Sequence, residues 1–449
     1  MKATSVEIIE QLKKAGHEAY WAGGCVRDML LGIKPKDFDI VTSAKPDEIE
    51  DLLEHTIPVG KKFGVILAIK KNHHFEIATF RSDSGYSDGR RPDAVEFTSA
   101  EKDAQRRDFT INALFYDPTQ DRIIDYVGGQ KDLDEKLIIF IGNPEERIKE
   151  DHLRILRAVR FRNSYDMQYH PDTYQAVKKY VHLIKDVSAE RIQEELNKMI
   201  MGENAGRAFE ELFEIEALEI LIPELCKLKG LAQPLEYHSE GDVWDHTLKA
   251  LDSLTDEEGD PNPLPAKPPS IALKWATLMH DIGKYDTFEA AEDRIRYNRH
   301  AEVGGQIAKK VLNRLKFPKK TIDRVVWLIE RHMMIEPLFS MTKGRRRHWF
   351  LQPGFEELLE LYRADAMAIE PKDLSIYEEL RRMYRHEIAK LKLMPKQLIS
   401  GDEIMEILNL KPGEKVGKII KDIRDQQLEG KISTAKQAKK HLKEKYLPE

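Results

Sequence analysis

The stretch Trp21–Ile40, WAGGCVRDMLLGIKPKDFDI, constrains this chain more than any other. It joins a glycine pair, a short helix-like segment and two aspartates one residue apart. Extended backbone alternates its side-chain faces, so Asp37 and Asp39 point one way while Phe38 and Ile40 face the other. Two carboxylates on one face make a site for a hard divalent cation, and a nucleoside triphosphate is the usual reason to hold one. Gly23 and Gly24 precede a helix whose first amides and dipole favour phosphate. Gly24 and Arg27, the latter one turn in, are therefore candidate nucleotide-binding residues. The same two-aspartate pattern occurs on exposed turns, so its meaning comes from the segments around it.

At 449 residues the chain exceeds one compact core and suggests about three domains. With 41% hydrophobic and 33% charged residues it reads as soluble and helix-rich. The net charge of -6 requires any nucleic-acid surface to be a local patch. Two cysteines, Cys25 and Cys226, exclude a disulfide scaffold and fit a reducing compartment. The opening MKATSVEIIEQLKKAG is an amphipathic helix without a signal-peptide core, and no apolar run approaches a membrane span. The expectation is a cytoplasmic protein with no membrane contact.

Within a first domain, residues 1–140, the pattern predicts a strand over 18–21, a helix over 25–31 stopped by Gly32, and a helix over 46–55. Residues 57–80 predict two strands about a turn at 70–74. Glu76, on the second strand, is either a third carboxylate for the acidic pair or an ordinary solvent-facing residue. The polar, glycine-bearing run 81–97 reads as a mobile loop. QRRDFTINALFYD, residues 105–117, opens with paired arginines and continues as an amphipathic helix. Among Arg106, Arg107, Asp108 and Asn112, guanidinium forks suit a triphosphate, and Asp or Asn suits a ribose hydroxyl. A salt-bridged surface is the structural alternative.

A second domain, 141–230, contains EDHLRILRAVRF at 150–161. At about 100° per residue, Glu150, Asp151, Arg154 and Arg157 share a polar arc, and Leu153, Ile155, Leu156 and Val159 cover the other side. A carboxylate and a guanidinium three residues apart can offer an acceptor and donors to the edge of a base, or form a solvated ion pair.

These motifs carry a resemblance. GGCVRDMLLG, the Asp37–Asp39 pair, RRDFTINAL and EDxxR followed by RxxRF resemble the signatures of class II tRNA nucleotidyltransferases, which comprise CCA-adding enzymes and bacterial poly(A) polymerases. The resemblance implies an α+β chain: a small mixed-sheet head of the DNA polymerase β nucleotidyltransferase type, then an all-helical neck, a helical body and a helical tail. It implies that Asp37 and Asp39 are catalytic and hold Mg2+, with one ion activating the RNA 3′ hydroxyl and the other holding CTP or ATP. Gly24, Arg27, Arg107, Asp108, Asn112, Arg157 and Arg160 would contact nucleotide. Asp151 and Arg154 would serve as a protein template for the Watson–Crick edges of CTP and ATP. Residues 188–200 resemble the last shared neck helix, where Arg191 and Glu194 give support. YSDGRRP, with Asp88, Arg90 and Arg91, resembles the loop needed to add the final A.

A third domain, 231–395, reads as helical, interrupted by a proline-rich connector at 255–270. His246, His280, Asp281, His300, His332 and Asp365 lie in or beside separate apolar helical patterns, and such ligands can converge on one or two divalent ions. The series resembles HD-domain phosphohydrolases, with His246, His280, Asp281 and Asp365 as the minimal ligand set and His300 and His332 as the ligands added in two-metal members. That implies phosphomonoesterase or phosphodiesterase activity with Mn, Ni, Co, Fe or Mg, and Lys284 as a possible phosphate contact. Residues 396–449 form a tail; from Lys411 onward 11 Lys or Arg face 6 Asp or Glu, a local excess suited to the tRNA body.

The implied function is addition of the 3′-terminal CCA to tRNA from CTP and ATP, releasing pyrophosphate, with an HD phosphohydrolase appended. An A-adding enzyme, a poly(A) polymerase, and an HD phosphohydrolase with a non-catalytic RNA-binding head stay open. The sequence leaves the oligomeric state undetermined.

Overall fold

Apolar alternation near the N-terminus builds one mixed sheet, seen in a computed structural model that describes every residue except 86–93, 234–240, 255–267, 291–294, 391–394 and 448–449. The chain divides into two compact units, residues 1–223 and 224–449. In the first, strands β1 (Ala19–Ala22), β2 (Ile40–Thr42), β3 (Thr56–Gly60), β4 (Val65–Lys70) and β5 (His73–Thr79) form most of a seven-stranded sheet. A hairpin of β6 (Arg81–Ser84) and β7 (Ala94–Phe97) stands apart from it, and β8 (Phe115–Asp117) and β9 (Arg122–Ile124) complete the sheet. The order is β3-β4-β5-β2-β1-β8-β9, and β2 runs parallel to β5. All four residues of β1 are buried, because β2 and β8 flank it and the Lys2–Lys14 helix contributes Ile8, Ile9 and Leu12 to the same core.

Helices follow the sheet, giving the expected α+β architecture. Four local expectations are corrected. Residues 57–80 hold three strands rather than two, because Gly64 at φ +79° ends a tight turn after β3; Ile57 and Val59 are exposed and gave no alternation to read. The run 81–97 is bounded by the paired β6 and β7, and Asp88, Arg90 and Arg91 lie outside the described residues. No helix spans 105–117. The Ala100–Gln105 helix ends there, Phe109 bridges to Phe140 in extended conformation, and 115–117 is drawn into the sheet beside β1, so tertiary pairing overrides the helical period.

The segment 150–161 is broken as well. Helices Pro144–Glu150 and Arg154–Ser164 are separated by Asp151, which is extended at φ −148° and ψ 104°. Asp151 accepts the Leu153 N–H on Oδ1 (3.1 Å) and the Arg154 N–H on its carbonyl (3.0 Å), so it forms the turn that leads into the second helix instead of riding on it. The apolar side is as expected: Leu153, Ile155, Leu156 and Val159 are all buried.

In the second unit, helices Val243–Asp252, Ile271–Met279, His300–Arg314, Lys319–Ile329 and Phe355–Ala368 pack around Trp244 and Trp275. Three tail helices, Gly401–Leu408, Glu414–Leu428 and Ala435–Tyr446, share a core of Ile404, Ile419, Ile423, Ala438 and Leu442. The last one turns Lys436, Lys439, Lys440 and Lys443 to solvent. No helix among the described residues is long and apolar enough to cross a membrane.

Candidate functional site

Asp37 and Asp39 lie just before β2, where the Asp39 carbonyl already accepts the Ala22 N–H at 3.0 Å. The extended backbone exposes both aspartates and buries Phe38 and Ile40. Because Ile40 pairs with Ile77 in parallel register, Glu76 sits beside Asp39 on the same face. Partial loss of solvent, then the Asp37 and Glu76 carboxylates, pushes the Asp39 pKa up to about 6, while Arg107 opposes the rise. Among the described residues neither Asp37 nor Asp39 has an ion-pair partner. An oxygen-donor set of this kind, outnumbering the one nearby guanidinium, fits a hard divalent cation.

Arg107 is tied to this edge. Its Nε and Nη2 reach Asp103 Oδ2 (3.2 and 3.1 Å), and Nη1 donates to the Asn112 carbonyl (3.2 Å). Buried Asp103 also holds Arg106, whose guanidinium reaches Asp83 and the Arg81 carbonyl in the adjoining hairpin. Sequence reasoning missed Asp103; its signal was the i,i+3 and i,i+4 spacing to the two arginines. Gly23 adopts φ +68°, and a Cβ there would stand 3.1 Å from Arg107 Nη1. Gly23, rather than Gly24, is the glycine this turn requires.

Arg27 is buried, and its donors are already engaged: Asn112 Oδ1 (2.6 Å), Asp28 Oδ1 (2.7 and 3.0 Å) and the Tyr165 hydroxyl, with the Tyr165 ring beneath the guanidinium. Asn112 in turn donates to Asp108 Oδ1 (3.1 Å), and Asp108 Oδ2 receives Arg157 Nε (2.7 Å). Burial alone would raise the Asp108 pKa, but the guanidiniums of Arg157 and Arg154 outweigh it and hold the carboxyl down at about 2. Arg160 pairs with Glu195 (2.6 Å).

Asp151 and Arg154 do not pair with each other. Arg191 takes both Asp151 oxygens (3.0 and 2.7 Å), while buried Arg154 donates to Glu150 (2.5 Å) and to the Arg147 carbonyl (2.7 Å). Both are joined electrostatically to the Asp108–Arg157 pair. Within the first unit, the acidic pair and the base-reading candidates are thus linked through Arg107, Asn112, Asp108 and Arg157.

The second unit gathers all six predicted metal ligands. His246 Nε2 lies 2.9 Å from Asp365 Oδ1, His280 Nε2 3.2 Å from Asp281 Oδ2, and His300 Nε2 3.6 Å from Asp281 Oδ1. His246, His280 and Asp281 form one close group, and Asp281, His300 and His332 a second, so Asp281 belongs to both. The Nδ1 atoms of His280, His300 and His332 lie 2.8, 2.9 and 2.7 Å from the carbonyls of Thr277, Tyr297 and Ile329. A carbonyl can only accept, so each Nδ1 carries a proton and each ring turns its Nε2 inward. His300 and His332 thereby face each other Nε2 to Nε2 at 3.1 Å, an arrangement that calls for a cation. Among the described residues, buried His280 Nε2 makes no well-aligned hydrogen bond despite its 3.2 Å approach to Asp281 Oδ2. Burial pushes the His280 imidazole down, yet Asp281 and Asp365 hold its pKa up at about 10, the same demand for positive charge. This donor set fits divalent metal.

Comparison with known proteins agrees with both halves. Residues 19–139 match the poly A polymerase head domain, 166–229 the probable RNA and SrmB-binding site of polymerase A, and 243–370 the HD domain. Poly(A) polymerase I of Salmonella typhi is 32% identical over 383 residues, covering 80% of this chain and 77% of that one. The chain belongs to the class II tRNA nucleotidyltransferase family.

Within that family, the CCA-adding enzyme of Ligilactobacillus salivarius is 39% identical over 246 residues, spanning 54% of this chain and 61% of that enzyme. The CCA-adding enzyme of Bacillus stearothermophilus, solved in complex with CTP, superposes with a TM-score of 0.72 at 25% identity, covering 98% of this chain and 96% of the other. This class II family member is a nucleotidyltransferase with an HD domain.

Proposed function

We propose that the chain adds the 3′-terminal CCA to tRNA from CTP and ATP without a nucleic-acid template, and that its HD unit hydrolyses phosphate esters. The observation that carries the first reading is the linkage from Asp39 through Arg107, Asn112 and Asp108 to Arg157, beside Asp151 and Arg154. In this reading Asp37 and Asp39 are the catalytic residues and hold two Mg2+ ions, which when bound lower the pKa of the primer 3′ hydroxyl and neutralise the triphosphate. Arg107 adds a fixed positive charge beside them; Asp108 and Asn112 meet the ribose, and Arg27, Arg157 and Arg160 hold these groups in place. Asp151 offers an acceptor and Arg154 donors to the base edge, each fixed by its own partner. The exposed lysines of the Ala435–Tyr446 helix are the tRNA contact of the tail domain, and the four-part division 1–140, 141–230, 231–395 and 396–449 is retained as part of this proposal.

The similarity to poly(A) polymerase I supports a second reading, in which A addition continues along the RNA. Incubation with tRNAs lacking CCA, lacking only the final A, or complete separates the two, with labelled CTP or ATP supplied. Restoration of CCA on the shortest substrate followed by arrest supports the first reading. Extension of a complete end by runs of A supports the second, and A incorporation only on the CC end would make it an A-adding enzyme.

The HD reading rests on the five residues of the two ligand groups together with Asp365, which meets His246 and His280. They would hold Mn, Ni, Co, Fe or Mg, which when bound polarises a phosphoryl group. Release of phosphate from a nucleotide, or opening of a cyclic phosphate to its monoester, by the metal-loaded chain tests it; hydrolysis without any extension of tRNA would favour an RNA-binding head that does no chemistry.

A further inference from the structure

Next to the HD ligands lies a side chain that the metal ligation does not use. Gln233 is only 5% exposed, and its Oε1 accepts from Lys284 Nζ at 3.1 Å. An ammonium only donates, so the amide oxygen must be the atom that faces it, and the NH2 end points away. That Nε2 is buried and has no hydrogen-bond partner among the described residues. Leaving such a donor unpaired is costly, and it persists in native structures where a missing ligand or water completes it.

The surroundings fix this amide rather than let it drift. Val243 N–H bonds the Leu231 carbonyl (3.1 Å), and the Tyr297 hydroxyl donates to the Ala232 carbonyl, which pins the backbone just before Gln233. Lys284 bridges Gln233 to the metal ligands, since its Nζ is also 2.7 Å from Asp281 Oδ2, the oxygen nearest His280. The free amide hydrogens therefore belong to a group one lysine removed from the shared ligand Asp281.

We propose that Gln233 Nε2 donates to a phosphoryl oxygen of the ester bound at the HD ligands, with Lys284 orienting the amide. The proposal rests on reading that cluster as a phosphohydrolase centre. A tetrahedral phosphate offers oxygens beyond those that metals would take, and a neutral double donor beside an ammonium is suited to one of them.

The test uses the full chain carrying Asp39→Ala, to break the acidic pair of the first unit, loaded with Mn2+ and titrated with inorganic phosphate by calorimetry. Gln233→Leu should weaken phosphate binding by roughly tenfold or more, the loss of a hydrogen bond to a charged group. Gln233→Glu keeps an acceptor for Lys284 but replaces the donor with a negative charge, and should weaken it at least as much. In both variants the Mn2+ stoichiometry and affinity should match the parent, which shows the site is folded. Equal phosphate affinity in parent and variants, while the parent still hydrolyses phosphate esters, would overturn the role of Gln233 and leave the HD reading standing. Lost Mn2+ affinity would also overturn it, assigning Gln233 to support of the metal ligands. A metal-loaded parent that neither binds phosphate nor cleaves esters would bring down the HD reading and the proposal together.

Discussion

Arg191 grips Asp151 with two parallel hydrogen bonds, Nη1 to Oδ1 at 3.0 Å and Nη2 to Oδ2 at 2.7 Å, across 40 residues of sequence. A bidentate fork fixes the plane of the carboxylate, and a base-reading acceptor must be aimed as well as present. Arg191→Lys keeps the charge and loses the plane. It should lower CTP and ATP incorporation on the order of 100-fold, the cost of a misplacement of about 1 Å, and raise misincorporation of UTP and GTP. Single-nucleotide incorporation with each triphosphate in turn measures this; unchanged selectivity would make Arg191 a packing residue.

Asp39→Ala removes one of two adjacent carboxylates that lack a direct ion-pair partner among the described residues and feel only the nearby Arg107 charge. Extension of tRNA should fall by about a thousandfold or more, while ester hydrolysis in the HD unit is retained. His280→Ala with Asp281→Ala should do the reverse, because Asp281 belongs to both ligand groups. Parallel assays of labelled nucleotide incorporation and phosphate release decide; loss of both activities from either change would refute two independent centres.

The Asp108–Arg157 pair predicts an acid-sensitive link between the head and the Arg154–Ser164 helix. With its pKa held down at about 2, against roughly 3.9 in an unfolded chain, Asp108 binds fewer protons when folded. Its stabilisation is therefore complete above about pH 4 and is lost as pH falls toward 2, about 2 to 3 kcal/mol in all. Asp108→Asn should destabilise the first unit by that order at pH 7 and by much less near pH 2.5. Hydrogen exchange of the Arg154–Ser164 amides at the two pH values reads the difference, and an equal effect at both would contradict it.

His300 and His332 meet Nε2 to Nε2 at 3.1 Å beside Asp281 Oδ1, separate from the His246–Asp365 contact. His300→Ala should lower the bound Mn2+ or Ni2+ of the HD unit by one ion per chain, with the other retained. Chelation should lower the melting temperature of the parent, and saturating metal at about 100 times Kd should restore roughly 2.7 kcal/mol per site. Elemental analysis after dialysis, together with melting curves, checks both statements; full metal content in the variant would leave a single site.

Much of this was legible in the sequence wherever a local rule and the tertiary structure agree. Phe38 and Ile40 alternate with Asp37 and Asp39 because the backbone is extended there, and Leu153, Ile155, Leu156 and Val159 follow the helical period of their helix. The ligand histidines sit at helix ends and on separate helices, where spacing alone says nothing of convergence; only the order of His and Asp types pointed to it. The period failed at 105–117, since Phe109 and 115–117 are claimed by pairing with distant strands. It failed again at Asp151, where a turn-forming carboxylate interrupts a run that looks continuous. Asp103 and Gln233 escaped notice because their significance lies in what they touch, Arg106 and Arg107 in one case and Lys284 in the other.

The glycine pair that opens the motif can be split by experiment. Gly23 holds φ +68°, and an added Cβ would crowd Arg107 Nη1 at 3.1 Å; Gly24 has an ordinary backbone and meets Arg27 Nη2 only at 3.6 Å. Gly23→Ala should cost about 1 to 2 kcal/mol in backbone strain alone. It should also displace the guanidinium that offsets the Asp37, Asp39 and Glu76 charges, lowering extension on the order of tenfold or more. Gly24→Ala should be nearly silent in stability, so any loss of activity it brings reports close approach of a nucleotide to that backbone. Urea unfolding and incorporation kinetics on the two variants separate these effects. Equal tolerance at both positions would mean that the turn does not set the place of Arg107.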